Sequence, residues 1–234
     1  MSRQNHTTPR RGLRARLGTL LRDSRWLIAL ELAVAFAILA AHLAGLMPLS
    51  EIPALLALGW LSLWARGVGW RCVGLKRPAS WARALAVGAA VGAGLQFFIA
   101  YVLEPLVVRL MRQPVDLSQF AAVRGNLVVL GILLLLVWTL AAFGEEMVYR
   151  GYLMNRVAGL AGGGKGAWAL SLVVVSLLFG VGHLYQGAPG VVVNVAAGLV
   201  YGAVYLWAGR NLWAPIITHG VYDTAGLTLL YYGL

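Results

Sequence analysis

Residues 127–150 read LVVLGILLLLVWTLAAFGEEMVYR. The first eighteen carry no charge, and the last six hold two glutamates and an arginine. A helix rising 1.5 Å per residue crosses the hydrocarbon of a bilayer in about 20 residues. The stretch therefore predicts a transmembrane helix. A charged side chain at mid-bilayer costs about 2.5–3.5 kcal/mol on insertion scales. The same stretch thus sets the class of fold and asks what its charges are for.

The rest of the chain agrees with that class. It has 234 residues, 60% hydrophobic and 12% charged, with a mean hydropathy of +0.78. Soluble domains run nearer ~45–50% apolar and ~25% charged. A soluble enzyme, a disordered chain and a fibrous protein are excluded. The expected fold is all-α, a polytopic transmembrane bundle of about seven spans: 26–47, 50–66, 82–104, 126–149 with a possible extension to 157, 167–184, 189–208 and 211–232. The second is the shortest and is interrupted by Pro53. Three parts follow: a basic N-terminal segment 1–25, N-terminal spans 26–125, and a C-terminal membrane core 126–234.

Net charge is +11, from 19 Lys+Arg against 8 Asp+Glu. The cations lie in clusters between apolar runs, which points to a lipid bilayer as partner and not to nucleic acid. Arg3, Arg10, Arg11, Arg14, Arg16, Arg22 and Arg25 precede the first run. With the N-terminus inside, inner segments hold 16 Lys+Arg and outer segments hold Arg109, Arg112 and Arg124. This predicts a cytoplasmic N-terminus and an outer C-terminus. The first run is too long for a signal-peptide core and reads as a retained span. Cys72 is the only cysteine, so no intrachain disulfide forms.

Among the connections, Pro105–Gly125 reads as the longest outer one, with an interfacial amphipathic turn around Leu106, Val107, Leu110 and Met111. Gly159–Gly166, with five glycines, reads as a flexible inner loop. Gly88/Gly92 and Gly198/Gly202 predict close helix packing.

Four of the eight acidic residues, Glu31, Glu145, Glu146 and Asp223, fall inside apolar runs. Glu146 and Arg150, four apart on a helix, are spaced to pair. Glu145 points about 100° away and shares its face with Tyr149, with no local cation. A buried carboxylate in that position is suited to accept a proton. Phe179 and His183, and again His219 and Asp223, have the same spacing, and a carboxylate beside an imidazole fixes its tautomer. Each pair alone also reads as packing or a structural ion pair. Three on successive helices read as a site. Glu31 reads as an inner-end polar contact, and His42 carries no motif.

This ordered set, Glu145-Glu146-x3-Arg150, Phe179-x3-His183 and His219-x3-Asp223, resembles the CAAX prenyl protease and bacteriocin-processing family of glutamate-dependent intramembrane proteases. Arg150-Gly151 and Asn211-Leu212-Trp213-Ala214-Pro215 add to the likeness, which covers about residues 126–232. The resemblance implies an intramembrane endopeptidase and makes 126–234 a catalytic core. Its substrate would be a membrane-embedded or lipid-anchored peptide. Glu145 would activate water, with His183 helping to hold it. His219 and Asp223 would stabilise the oxyanion. Glu146 and Arg150 would support them, beside Tyr149 and Phe179. The family often has Asn at the position of Asp223, and ionised Asp cannot donate a hydrogen bond. Asp223 would then be protonated, or would only orient His219.

The implied chemistry needs no cofactor. The alternative is a zinc ion on Glu145, His183 and His219. Two further readings belong to other classes: a non-catalytic peptide-binding or immunity protein, and a proton-coupled transporter. The Arg-, Ala- and Gly-rich composition suggests a bacterial inner membrane. Hydropathy places Glu145 near the inner end of its span and His183 near the outer end of the next. A shared site requires the fourth helix to run on past Tyr152.

Overall fold

The computed structural model describes residues 24–47 and 50–234, with Gly18 and Leu21. The basic segment 1–25 lies outside the described residues except for those two, Ser24 and Arg25. The described chain is all helical, with no strand. The protein is an integral membrane helical bundle.

Helices occupy all seven expected positions. Helix α1 spans Arg25–Leu43 and α2 spans Ile52–Ala65. Helix α3 (Trp81–Phe98) continues through a π-helical stretch, Ile99–Leu103, into α4 (Glu104–Met111). Helix α5 (Leu127–Leu136) continues through two π stretches, Val137–Glu145 and Met147–Leu153, into α6 (Met154–Leu160). Helices α7 (Lys165–Gly182), α8 (Gly187–Trp207) and α9 (Trp213–Tyr232) complete the order. Five continuous helices are long and apolar enough to cross a membrane: Arg25–Leu43, Trp81–Met111, Leu127–Leu160, Lys165–Gly182 and Leu184–Trp207. Ile52–Ala65 is apolar but has only 14 residues. Helix α9 has 20 residues and is more polar, since it carries Thr218, His219, Asp223, Thr224 and Thr228.

Two connections differ from the sequence reading. The outer connection does not begin at Pro105, because helix runs on to Met111 and stops where Arg112 turns left-handed (φ 56°). Pro105 lies in the first turn of α4, where its missing N–H is tolerated, and the wider π turn precedes it. Val107, read as interfacial, is buried. The inner glycine loop shrinks to 161–164, with Gly162 and Gly163 both at positive φ.

The long fourth helix divides into a lipid-facing and a core half. Leu127, Val128, Ile132 and Leu135 are exposed on α5, as expected of side chains that meet lipid. Every residue of the π stretch Met147–Leu153 is buried. The helix therefore carries its charged motif through the middle of the bundle.

Glycine spacing sets how α9 sits. A Cβ at Gly88 would come 2.7 Å from Ile217 Cγ2, and one at Gly92 would collide with the Thr218 carbonyl. Gly198 and Gly202 likewise press on Ser176 and Leu172 of α7. Gly92→Ala is expected to cost about 1–3 kcal/mol, the usual penalty of overpacking, and to displace His219. Thermal unfolding in detergent checks this, and an unchanged midpoint would refute the close approach.

A second buried cluster ties the ends of three helices. Arg66, after α2, donates through Nη1 to Glu31 of α1 and to Ser62 Oγ at 2.8 Å. Arg156 Nε of α6 lies 3.3 Å from the other Glu31 oxygen. The polar contact expected of Glu31 is thus to two arginines far along the chain.

Candidate active site

The two adjacent glutamates have opposite surroundings. Glu146 is fully buried. Its Oε1 accepts from Arg150 Nη1 at 2.8 Å and from His219 Nδ1 at 3.0 Å. Arg150, also buried, donates through Nη2 to the Gly198 carbonyl at 3.0 Å. Its guanidinium lies over the Phe179 ring at 4.6 Å and over Tyr201 at 5.2 Å. A planar fork set against two aromatic rings suits arginine and not lysine.

Glu145 faces a cavity instead. The cavity is about 720 Å³ and is lined by Glu145, His183, His219 and Asp223. Glu145 Oε2 is buried and has no hydrogen-bond partner. The motif's two neighbours are thus separated into one engaged carboxylate and one left facing open space. The fourth helix runs to Leu160, as the shared site requires, and Glu145 and His183 line one cavity despite their different places along the apolar runs.

His183 stands where α7 ends, and its Nδ1 lies 2.8 Å from the Phe179 carbonyl. A carbonyl only accepts, so Nδ1 carries the proton and Nε2 is left for the cavity. The Phe179 and His183 rings lie 4.7 Å apart. His219 stacks on Tyr201 at 4.5 Å, nearly parallel, with Phe179 edge-on at 5.9 Å. Its Nε2 lies 3.3 Å from Asp223 Oδ2. A ring with a carboxylate at each nitrogen donates to both only when doubly protonated. All three i,i+4 pairs read from the sequence are in contact.

Tyr149 does not turn to Glu145. Its hydroxyl donates to Glu51 Oε1 at 3.1 Å, and its ring meets Phe179 edge-on at 5.1 Å. Glu51, ninety-eight positions earlier in the chain, gives no motif signal. It stands at the head of a short apolar run, where an acidic residue reads as interfacial. His42 Nε2 lies 3.4 Å from Glu51 Oε2. Tyr201, buried against His219 with no partner for its hydroxyl, also went unread. It lies within a run of aromatic and small residues that reads as packing.

The zinc alternative finds no prepared ligand set. Among the described residues, no three His, Cys, Asp or Glu side chains are grouped to hold a metal ion. Glu145, His183 and His219 share a cavity, but His219 has a carboxylate at each nitrogen.

The family model for Rce1-like proteins, type II CAAX prenyl endopeptidases, matches residues 126–225. That segment contains all three motifs. Over that segment the chain is similar to the Rce1-like family. No curated protein and no solved structure matches the chain. The match supports, at family level, a CAAX-type intramembrane protease and hence a peptide hydrolase. Its partners are accordingly the lipid bilayer and a peptide substrate. The Rce1-like segment begins with α5 and ends within α9, so the cavity wall formed by α3 and α4 lies outside it.

Proposed function

We propose that this protein hydrolyses a peptide bond of a membrane-embedded or lipid-anchored substrate through water activated by Glu145. The observation that carries the reading is the contrast between the two glutamates. Glu146 Oε1 accepts from both Arg150 and His219 and Glu146 lies outside the cavity lining, while Glu145 lines the cavity and carries an unpartnered oxygen.

In this mechanism a water molecule lies between Glu145 and His183. Its one hydrogen is accepted by His183 Nε2, which the Nδ1–H bond to Phe179 leaves as the acceptor. Its other proton passes to the Glu145 carboxylate as the oxygen attacks the peptide carbonyl carbon. The carbonyl oxygen becomes an oxyanion beside His219, whose Nε2–H, 3.3 Å from Asp223 Oδ2, is then shared between that carboxylate and the oxyanion. Asp223 orients that ring in this reading, as an ionised carboxylate beside a doubly protonated imidazole. The Glu145 carboxyl then returns its proton to the leaving nitrogen as the C–N bond breaks. Glu146 and Arg150 hold His219 from behind. Apolar side chains such as Leu133, Leu136, Val137 and Leu140 on the cavity wall suit an apolar or lipid-bearing substrate.

The reaction needs no metal in this reading. EDTA or 1,10-phenanthroline is expected to leave cleavage unchanged. Loss of activity restored by zinc would establish the metal alternative instead. The cationic bias of the inner segments supports a cytoplasmic N-terminus in a bacterial inner membrane.

The experiment is mass spectrometry of membrane peptides from cells carrying the native chain or Glu145→Ala. Cleaved termini that appear only with the native chain are expected. Identical peptide sets, with both proteins inserted, would overturn the reading and favour a non-catalytic binder.

A further inference from the structure

The carboxylate of Glu51 is the largest feature near the site that the mechanism leaves unused. It is 6% exposed, and it comes from the N-terminal half, outside the segment matched by the family model. Glu51 occupies the position before α2, where its side chain makes no capping bond, beside Ser50, which lines the cavity. Its two oxygens reach in different directions. Oε1 accepts the Tyr149 hydroxyl, and Oε2 lies against His42 Nε2.

What Tyr149 and Glu51 press on is the last turn of α7. A Cβ at Gly182 would stand 3.1 Å from the Tyr149 hydroxyl and 3.5 Å from Glu51 Oε1. Gly182 precedes His183 directly. Phe179, one turn earlier, meets the Tyr149 ring edge-on and supplies the carbonyl that holds His183 Nδ1. The hydroxyl–carboxylate bond therefore backs the turn whose carbonyl selects the His183 tautomer.

We propose that Glu51 is a positioning residue of the site, fixing through the Tyr149 hydroxyl the helical turn that ends in His183. Its contribution to cleavage rests on the hydrolytic reading above, whereas its effect on the ring of His183 does not. A glutamine at this position keeps an oxygen to accept from Tyr149, while a leucine of similar size does not. Without the bond, a buried hydroxyl is left unpaired and the turn loses its fixed backing. The His183 ring is then no longer confined to one tautomer.

The test uses the full chain in detergent, with 15N-labelled histidine, and with Glu51→Leu, Glu51→Gln, Tyr149→Phe and the Glu51→Leu/Tyr149→Phe pair. The His183 signals are those missing from His183→Gln. In the native protein they should show a protonated Nδ1 and a bare Nε2. Glu51→Leu and Tyr149→Phe should each move both signals toward the tautomer average, and the double variant should move them no further. Glu51→Gln should keep them near native. A merely structural role would lower the yield of folded protein and leave the tautomer of the folded fraction alone.

On a farnesylated CAAX peptide, Tyr149→Phe should lower kcat by about 10–100-fold, as small misplacements of catalytic groups do, with KM unchanged. His183 signals unaltered in Tyr149→Phe would overturn the proposal. If Glu51→Leu does not fold, Tyr149→Phe still decides it, because it deletes a single oxygen. Glu145→Gln is run alongside. Full cleavage by that variant would sink the hydrolytic reading, while the His183 signals would still decide the role of Glu51.

Discussion

Glu145→Gln is expected to lower kcat by about 10²–10⁴-fold, the range that a positioned general base contributes. KM should stay within about twofold, because the lost interaction acts in the transition state and not in binding. The same variant should fold as well as the native protein or better. Glu145 Oε2 has no hydrogen-bond partner, so removing its charge breaks no bond and removes a desolvation cost. Kinetics on purified protein and thermal unfolding in detergent measure the two effects together. A variant that cleaves at the native rate would end the assignment. A variant that fails to fold would show that Glu145 has a structural partner.

Arg150→Ala is expected to act in the opposite manner, through stability. Glu146 would be left buried with His219 alone, the Gly198 carbonyl would lose its donor, and the space beside Phe179 and Tyr201 would empty. Breaking a buried ion pair from one side costs about 3–5 kcal/mol. That is a large share of the ~5–15 kcal/mol by which domains are usually stable. The folded yield and the unfolding midpoint should both fall sharply, with activity lost as a consequence. Arg150→Lys should be intermediate, since an ammonium reaches one of the two acceptors but does not present the fork. A midpoint within about a degree of native for Arg150→Ala would mean that the cluster contributes nothing net, an outcome known for some buried pairs.

The contrast between these two neighbouring groups explains why the motif needs both glutamates. Glu146 supplies an anion whose Oε1 holds both Arg150 and His219 in place. It does not line the cavity, and so is not placed to take a proton from water there. Glu145 has the other role because nothing in the protein occupies it.

Much of the site was legible at the level of pairs. Spacing of four residues on a helix put Glu146 with Arg150, Phe179 with His183 and His219 with Asp223, and each pair is in contact. Those relations are local, fixed by helix geometry, and need no knowledge of the fold. The contacts that crossed between helices were not legible. His219 Nδ1 on Glu146, Tyr149 on Glu51 and Arg156 on Glu31 join residues far apart in the chain. No periodicity encodes them. The π turns over Val137–Glu145 and Met147–Leu153 were equally silent, since their residues read as ordinary helix formers. They change the angular phase along the segment that carries both glutamates, and a 3.6-residue wheel therefore gives only an approximate facing for Glu145.

By itself the sequence determined that this chain lies in a membrane as helices and that its few polar groups gather in the C-terminal half. Both follow from the cost of placing backbone or charge in hydrocarbon, which each segment meets independently of the others. Only the tertiary structure decided that His219 joins Arg150 on Glu146, and that a carboxylate from the N-terminal half stands behind the turn of His183. Those outcomes depend on how close one helix comes to another. Glycines at 88 and 92 against α9, and at 182 against Tyr149, set that approach, and their effect exists only once the helices have met.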